Sequence, residues 1–125
     1  MIFVDTAKNA FRNMIMSHMM ADTTDELIEL AENIGLRSRW IQAKGTWKEH
    51  FDVSQSKRCL AIKRGAIVLN PRSLAYLMKL SKKESFSEME KKHMLINLKD
   101  DFSRIEDSNA MVLERLRQKA RDILG

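Results

Sequence analysis

Apolar residues open the chain as Ile2-Phe3-Val4 and stop at Asp5, the pattern of a short buried strand ending in an acid. A second apolar stretch, residues 14–20, is too short for periodicity to choose between strand and helix. Beyond it the pattern turns helical, with Leu27, Leu30, Ala31 and Ile34 recurring every three or four residues. Thr23 and Glu26 have capping-box spacing, Asp25 and Glu26 sit where a helix start favours acids, and Gly35 offers a left-handed stop. These signals predict a helix over 24–34. Residues 36–53 hold no sustained period and read as a loop, with one short strand around 39–41. Ser54 then caps a helix to about Arg64, closed by Gly65. Residues 66–69 form a four-residue apolar run with two β-branched members, a buried strand. Asn70-Pro71 opens a further helix whose inner face is Leu74, Leu77 and Met78. Helices alternating with short buried strands predict an α/β fold, a small sheet layered with helices.

The pattern changes after residue 81. A polar break at 81–85 is followed by Ser85 and Glu88 at capping-box spacing, and from there to Leu124 there is no glycine or proline. Leu95, Phe102, Asn109, Leu116 and Ile123 are spaced seven apart, with Leu98, Ile105, Val112 and Lys119 as the companion row. That is a heptad pattern with a polar Asn109 in one a position. The division expected is a small α/β domain, 1–81, and a helical extension, 82–125. Unbroken, the extension is a long C-terminal helix on the order of 55–60 Å, suited to a partner or to a second copy through the Leu95–Ile123 heptads. Broken near residues 107–109, it is a helical hairpin packed on its own domain.

Composition adds exclusions. The 125 residues include one proline, four glycines and 31% charged side chains, which fits one ordinary globular domain with an appendage and not a low-complexity or disordered chain. No apolar run approaches the roughly 20 residues a membrane span needs, and no export signal is visible. One cysteine, Cys59, cannot form an internal disulfide, so a cytoplasmic location is expected. Of the net charge of +5, the distribution matters most. Residues 37–72 hold nine basic side chains against Glu49 and Asp52, a net of +7. Such a field attracts phosphates if it gathers on one face, and is a solvated surface if it does not.

Candidate chemistry lies in two clusters. His18 and Asp22 precede the first capped helix; His50 and Asp52 precede the helix that opens with Ser54, Ser56, Lys57 and Arg58. Helix starts suit anions, so Ser54, Ser56, Lys57 and Arg58 are candidates to cradle a phosphate, with Arg37, Arg39, Lys44 and Lys48 supplying further charge. Trp40 and Trp47, interleaved with these cations, suit base stacking or, equally, core cover. If His18 and His50 meet across a cleft with Asp5, Asp22 and Asp52 around them, the set suits a divalent metal or general acid–base work on a phosphoester. If they do not, each histidine is a satisfied partner of backbone, and Asp22 and Asp52 are turn or capping residues.

Taken in order, these pieces resemble a family. Ile2-Phe3-Val4-Asp5, Ser17-His18-Met19-Met20-Ala21-Asp22, Asp25-Glu26-Leu27 with Ala31 and Ile34-Gly35-Leu36, His50-Phe51-Asp52 and Ser56-Lys57-Arg58 with Gly65-Ala66 are similar to the bacterial and phage family named domain of unknown function 4031. Its members read V-D-D, W-S-H-L-x-A-D, E-E-L-H-x-F-A-x-x-L-G-L and H-Y-D-x-x-x-S-K-R-A-x-A-x-x-x-G-A. The likeness covers about residues 1–75. Thr6 stands where many members carry a second Asp, and Ile28 where they often carry His. The resemblance implies a small cytoplasmic protein of a bacterial host cell, often phage-borne, and brings no activity with it.

The sequence therefore points first to a phosphate- or nucleic-acid-binding accessory protein. Its rivals are a metal-dependent phosphoesterase or nuclease using the His/Asp cluster, and an interaction or oligomerisation factor acting through the tail on a host protein or a second copy. Whether catalysis accompanies binding turns on whether His18 and His50 converge.

Overall fold

A computed structural model describes residues 1–82, 84–94, 96, 114–118 and 121–122. The chain opens with β1 (Ile2–Asp5), β2 (Asn9–Phe11) and β3 (Met14–Ala21), followed by α1 (Thr24–Asn33). A 3₁₀ turn (Ser38–Trp40) leads into β4 (Phe51–Ser54), α2 (Gln55–Lys63), β5 (Ile67–Leu69) and α3 (Pro71–Ser81). The mixed α/β class is as the pattern predicts.

The stretch at 14–20 is a strand, and it organises the sheet. β3 pairs antiparallel with β1, β2 and β4, and β1 carries β5 as a parallel neighbour. Two strands missed by the pattern are short: β2 is exposed throughout, and β4 shows its period of two over only four residues. Where a strand is expected around 39–41 there is instead a 3₁₀ turn. Trp40 N donates to the Arg37 carbonyl and Ile41 N to Ser38, i→i+3 bonds that an extended backbone cannot make.

The helix signals act as read. Thr23 Oγ1 accepts from Glu26 N, Ser54 Oγ from Lys57 N, and Asn70 Oδ1 from Ser73 N. Gly35, at φ +88°, ends the α1 turn, and it has a second task. A Cβ there would lie 2.8 Å from Lys57 Nζ, which donates to the Ile34 carbonyl at the end of α1. The glycine thus leaves room for a lysine from α2 to satisfy a helix C-terminus.

Strand alternation splits the core in two. Val4, Met19, Ala21, Phe51 and Val53 face α1 and α2, packing on Leu27, Leu30, Ala31 and Ala61. Phe3, Met20 and Leu69 face the other way, onto Leu74, Leu77 and Met78 of α3. Met94 and Leu116 join this second core. The heptad position Leu116 is therefore buried within its own chain (0% exposed) and not displayed for a second copy. Ser85 is not the cap expected of it: the Ser-x-x-Glu spacing recurs two residues on, and Ser87 Oγ accepts from Glu90 N. The remaining heptad residues Leu95, Leu98, Phe102, Ile105, Asn109, Val112, Lys119 and Ile123 lie outside the described residues.

Candidate metal centre

The second face of the sheet is not apolar along its whole length. By the alternation that sends Phe3 and Met20 onto α3, Asp5, His18 and Asp52 point to the same side. Strand register brings them level: His18 pairs with Asp52 across β3 and β4, and Val4 pairs with Met19 across β1 and β3. His50, two residues before Asp52, joins the row through a backbone bridge to Gln42. A row of Asp5, His18, Asp52 and His50 results, drawn from three strands and one loop. The imidazoles separated by 32 positions in sequence have ring centroids 5.3 Å apart at an angle of 77°.

Each histidine is pinned on Nδ1. His50 Nδ1 lies 2.6 Å from the Lys48 carbonyl. A carbonyl only accepts, so Nδ1 carries the proton and Nε2 presents its lone pair. His18 Nδ1 lies 2.6 Å from Asp5 Oδ2. Asp5 is buried (2% exposed), and its other oxygen accepts from the backbone N of His18 and of Ala7. Both Nε2 atoms then face Asp52 Oδ1, at 3.9 Å from His18 and 3.5 Å from His50. Gln42 Nε2 donates to Asp52 Oδ2 at 2.6 Å and fixes the carboxylate from behind.

The three ligand atoms of His18, His50 and Asp52 lie within 4.8 Å of one another. Two ligands on one tetrahedral cation, each about 2.1 Å from it, are separated by about 3.4 Å. The His50–Asp52 separation already matches, and small rotations close the others. Asp5 and the Lys48 carbonyl occupy the outer positions that ligating histidines need to hold their tautomer. Hydrogen bonding to Asp5, together with the charges of Asp5 and Asp52, raises the pKa of His18 above its ordinary value; burial opposes this without reversing it. Asp5→Asn is expected to weaken divalent-cation binding about 10- to 100-fold while His18 and Asp52 stay in place, as a calorimetric titration with Zn²⁺ would show.

The other candidate residues separate. Asp22 belongs to the structure, not the site: its carboxylate takes the Met1 amino group at 3.0 Å and the Ser81 hydroxyl at 2.6 Å. Ser54 is committed to its cap and to Ser56, and Lys57 turns away to Ile34. These contacts leave the start of α2 without its expected lysine. Arg58 does stand beside the row, its Nε donating to the Asp5 carbonyl. Arg37 lies over the half-exposed Trp40 ring at 5.9 Å. Trp47 packs against the α3 core between Lys48 and Lys79, which makes it a cover for the core. Arg39 and Lys44 are exposed on the 38–50 segment. Ile28, where relatives often carry His, packs against the α1 core on the opposite face of the sheet, so that substitution leaves the row intact.

Two contributors escape a sequence reading as parts of the site. Gln42 belongs to the Trp40-Ile41-Gln42 piece of the family resemblance, which gives it no chemical role. Glu49 counts only as a stray acid in a basic stretch, yet it is 1% exposed and accepts from Thr24 Oγ1, Gly45 N and Lys82 Nζ. It ties the segment carrying His50 to the start of α1 and the end of α3.

Residues 2–81 match the family model described as protein of unknown function (DUF4031). No curated protein and no solved structure matches the chain.

Proposed function

We propose that this chain, which belongs to the family described as protein of unknown function (DUF4031), holds a divalent cation on His18, His50 and Asp52 and uses it to hydrolyse phosphoesters. The observation carrying the reading is the convergence of two Nε2 lone pairs and one carboxylate oxygen, each histidine oriented from behind by an acceptor. Two imidazoles and a carboxylate suit Zn²⁺ and related first-row cations, and three protein ligands leave a position for water or substrate. The cation would polarise a phosphoryl oxygen and activate water. The chain's part is to fix the ligands, to place the Arg58 guanidinium near the developing charge, and to draw an anionic substrate with its surplus of cations. This moves the phosphate-binding expectation from the start of α2 to the row on the sheet.

Calorimetry with Zn²⁺ and Mn²⁺, paired with hydrolysis of a simple phosphodiester with and without chelator, tests the reading. Saturable one-to-one binding and chelator-sensitive turnover are expected. Absence of binding would end it, and binding without turnover would overturn the hydrolytic reading and leave a metal site alone. Binding should also depend on pH. A proton on His18 Nε2 competes with the cation, and its pKa is raised, so affinity grows as pH climbs through that raised value and falls below it.

No helix among the described residues is long and apolar enough to cross a membrane.

A further inference from the structure

The strand that carries His18 does not stop at the edge of the packed sheet. β3 runs on with β2 as a hairpin, where Phe11 pairs with Met14 and Asn9 with Met16. Phe11, Met14 and Ile15 are exposed, Phe11 by 55%. Large apolar side chains at a projecting tip need an explanation that isolated exposed ones do not. Alternation along β3 puts Met14, Met16 and His18 on one face, and cross-strand pairing puts Phe11 beside Met14 on that same face. An apolar track therefore leads from the hairpin tip directly to the Asp5–His18–Asp52–His50 row. The step from Met14 to His18 is about 13 Å of strand, the length of roughly four stacked nucleotides.

The tip is also cationic. Residues 6–21 contain no acid, and Arg12 stands in the turn itself. Arg12, held at φ +56° in the turn, sets its guanidinium 5.5 Å over the Phe11 ring. An aromatic platform with a cation above it is what an unpaired nucleic-acid strand uses: π-faces for its bases and positive charge for its phosphates.

We propose that the β2–β3 hairpin is a stacking arm that lays a single strand of nucleic acid along the sheet face toward the metal centre. The inference rests on the phosphoester reading above and names its substrate class. Bases contact Phe11 and Met14, Arg12 meets phosphates at the tip, and the backbone reaches the row a few nucleotides further on.

The test is fluorescence anisotropy of the full chain with a fluorescein-labelled oligothymidine of about 12 nucleotides, in EDTA so that the metal plays no part. Binding that weakens steeply with salt is expected. Phe11→Ala should weaken it about tenfold and Phe11→Tyr should restore it, while Zn²⁺ titration of Phe11→Ala stays as in wild type. Phe11 is largely exposed, so folding should be untouched; Met14→Ala provides a second reading on the same track. Equal affinity of wild type and Phe11→Ala would overturn the arm, as would the absence of oligonucleotide binding at low salt. Wild-type dimers that Phe11→Ala converts to monomers in sedimentation would also overturn it, since the tip would then be a self-association patch. A silent metal titration on wild type strikes the site reading instead, so the two failures are told apart.

Discussion

Asp52→Ala is expected to take divalent-cation binding below detection and to reduce phosphodiester turnover to the uncatalysed background. Asp52 Oδ1 would be the anionic member of the proposed ligand set, and both imidazole Nε2 atoms face it. Without it two neutral nitrogens remain, and the charge that holds a hard or borderline cation is gone. The fold should survive. Asp52 is more than a third exposed, its side chain contributes to neither core, and its main partner is the Gln42 amide. The decisive comparison is with His50→Ala, which removes a ligand from a loop rather than a strand. Both variants should lose the metal while unfolding at nearly the wild-type denaturant concentration. A variant that binds Zn²⁺ as wild type does would place the cation elsewhere.

Glu49→Ala has the largest expected cost in stability, about 2–4 kcal/mol. Truncation strands the Thr24 hydroxyl and the Gly45 N–H and leaves the Lys82 ammonium without its partner. The upper end applies if water cannot reach these groups; Lys82, about one-fifth exposed, can turn outward and moderate the loss. Desolvation raises the Glu49 pKa, but the bonds from Gly45, Thr24 and Lys82, with the lysine's charge, more than reverse this and leave it below the ordinary carboxylate value. A depressed folded-state pKa contributes stability above the unfolded value of about 4.5. That contribution disappears as pH falls through the folded value. Urea midpoints measured from pH 7 downward should therefore drop below about pH 4.5 in wild type and change less in Glu49→Gln. Parallel curves would show that the carboxylate's charge is not what holds the 38–50 segment.

How much of this was legible in the residues differs by element. α1, α2 and α3 announced themselves because their caps are local: Thr23, Ser54 and Asn70 act within three residues of where they stand. β3 was ambiguous because its methionines, Met14, Met16, Met19 and Met20, satisfy either period over so short a run. β4 and β2 were invisible because three or four residues carry too little alternation, and pairing with β3 is what makes them strands. The candidate site shows the same limit. His18, His50, Asp5 and Asp52 could be named by residue type, but their meeting depends on the β3–β4 register. Lys57 looked like a phosphate ligand because it follows a helix start; its long side chain instead reaches backward to α1, a contact that spacing does not encode. The family match over 2–81 agrees with the order of motifs read along the chain.

Because His18 and Asp52 come from β3 and β4, strands far apart in the chain, an ion gripping both would act as a rivet between them. A one-residue slip of β4 would turn Asp52 to the opposite surface, so only the native alignment completes the grip. Occupancy and folding would then be a single linked equilibrium, with a gain of about 2.7 kcal/mol when free metal stands at 100 times its dissociation constant. Amide exchange along β4 should slow on loading, although β4 stands at the sheet's margin. Starvation for the ion would then loosen that margin before it altered any chemistry.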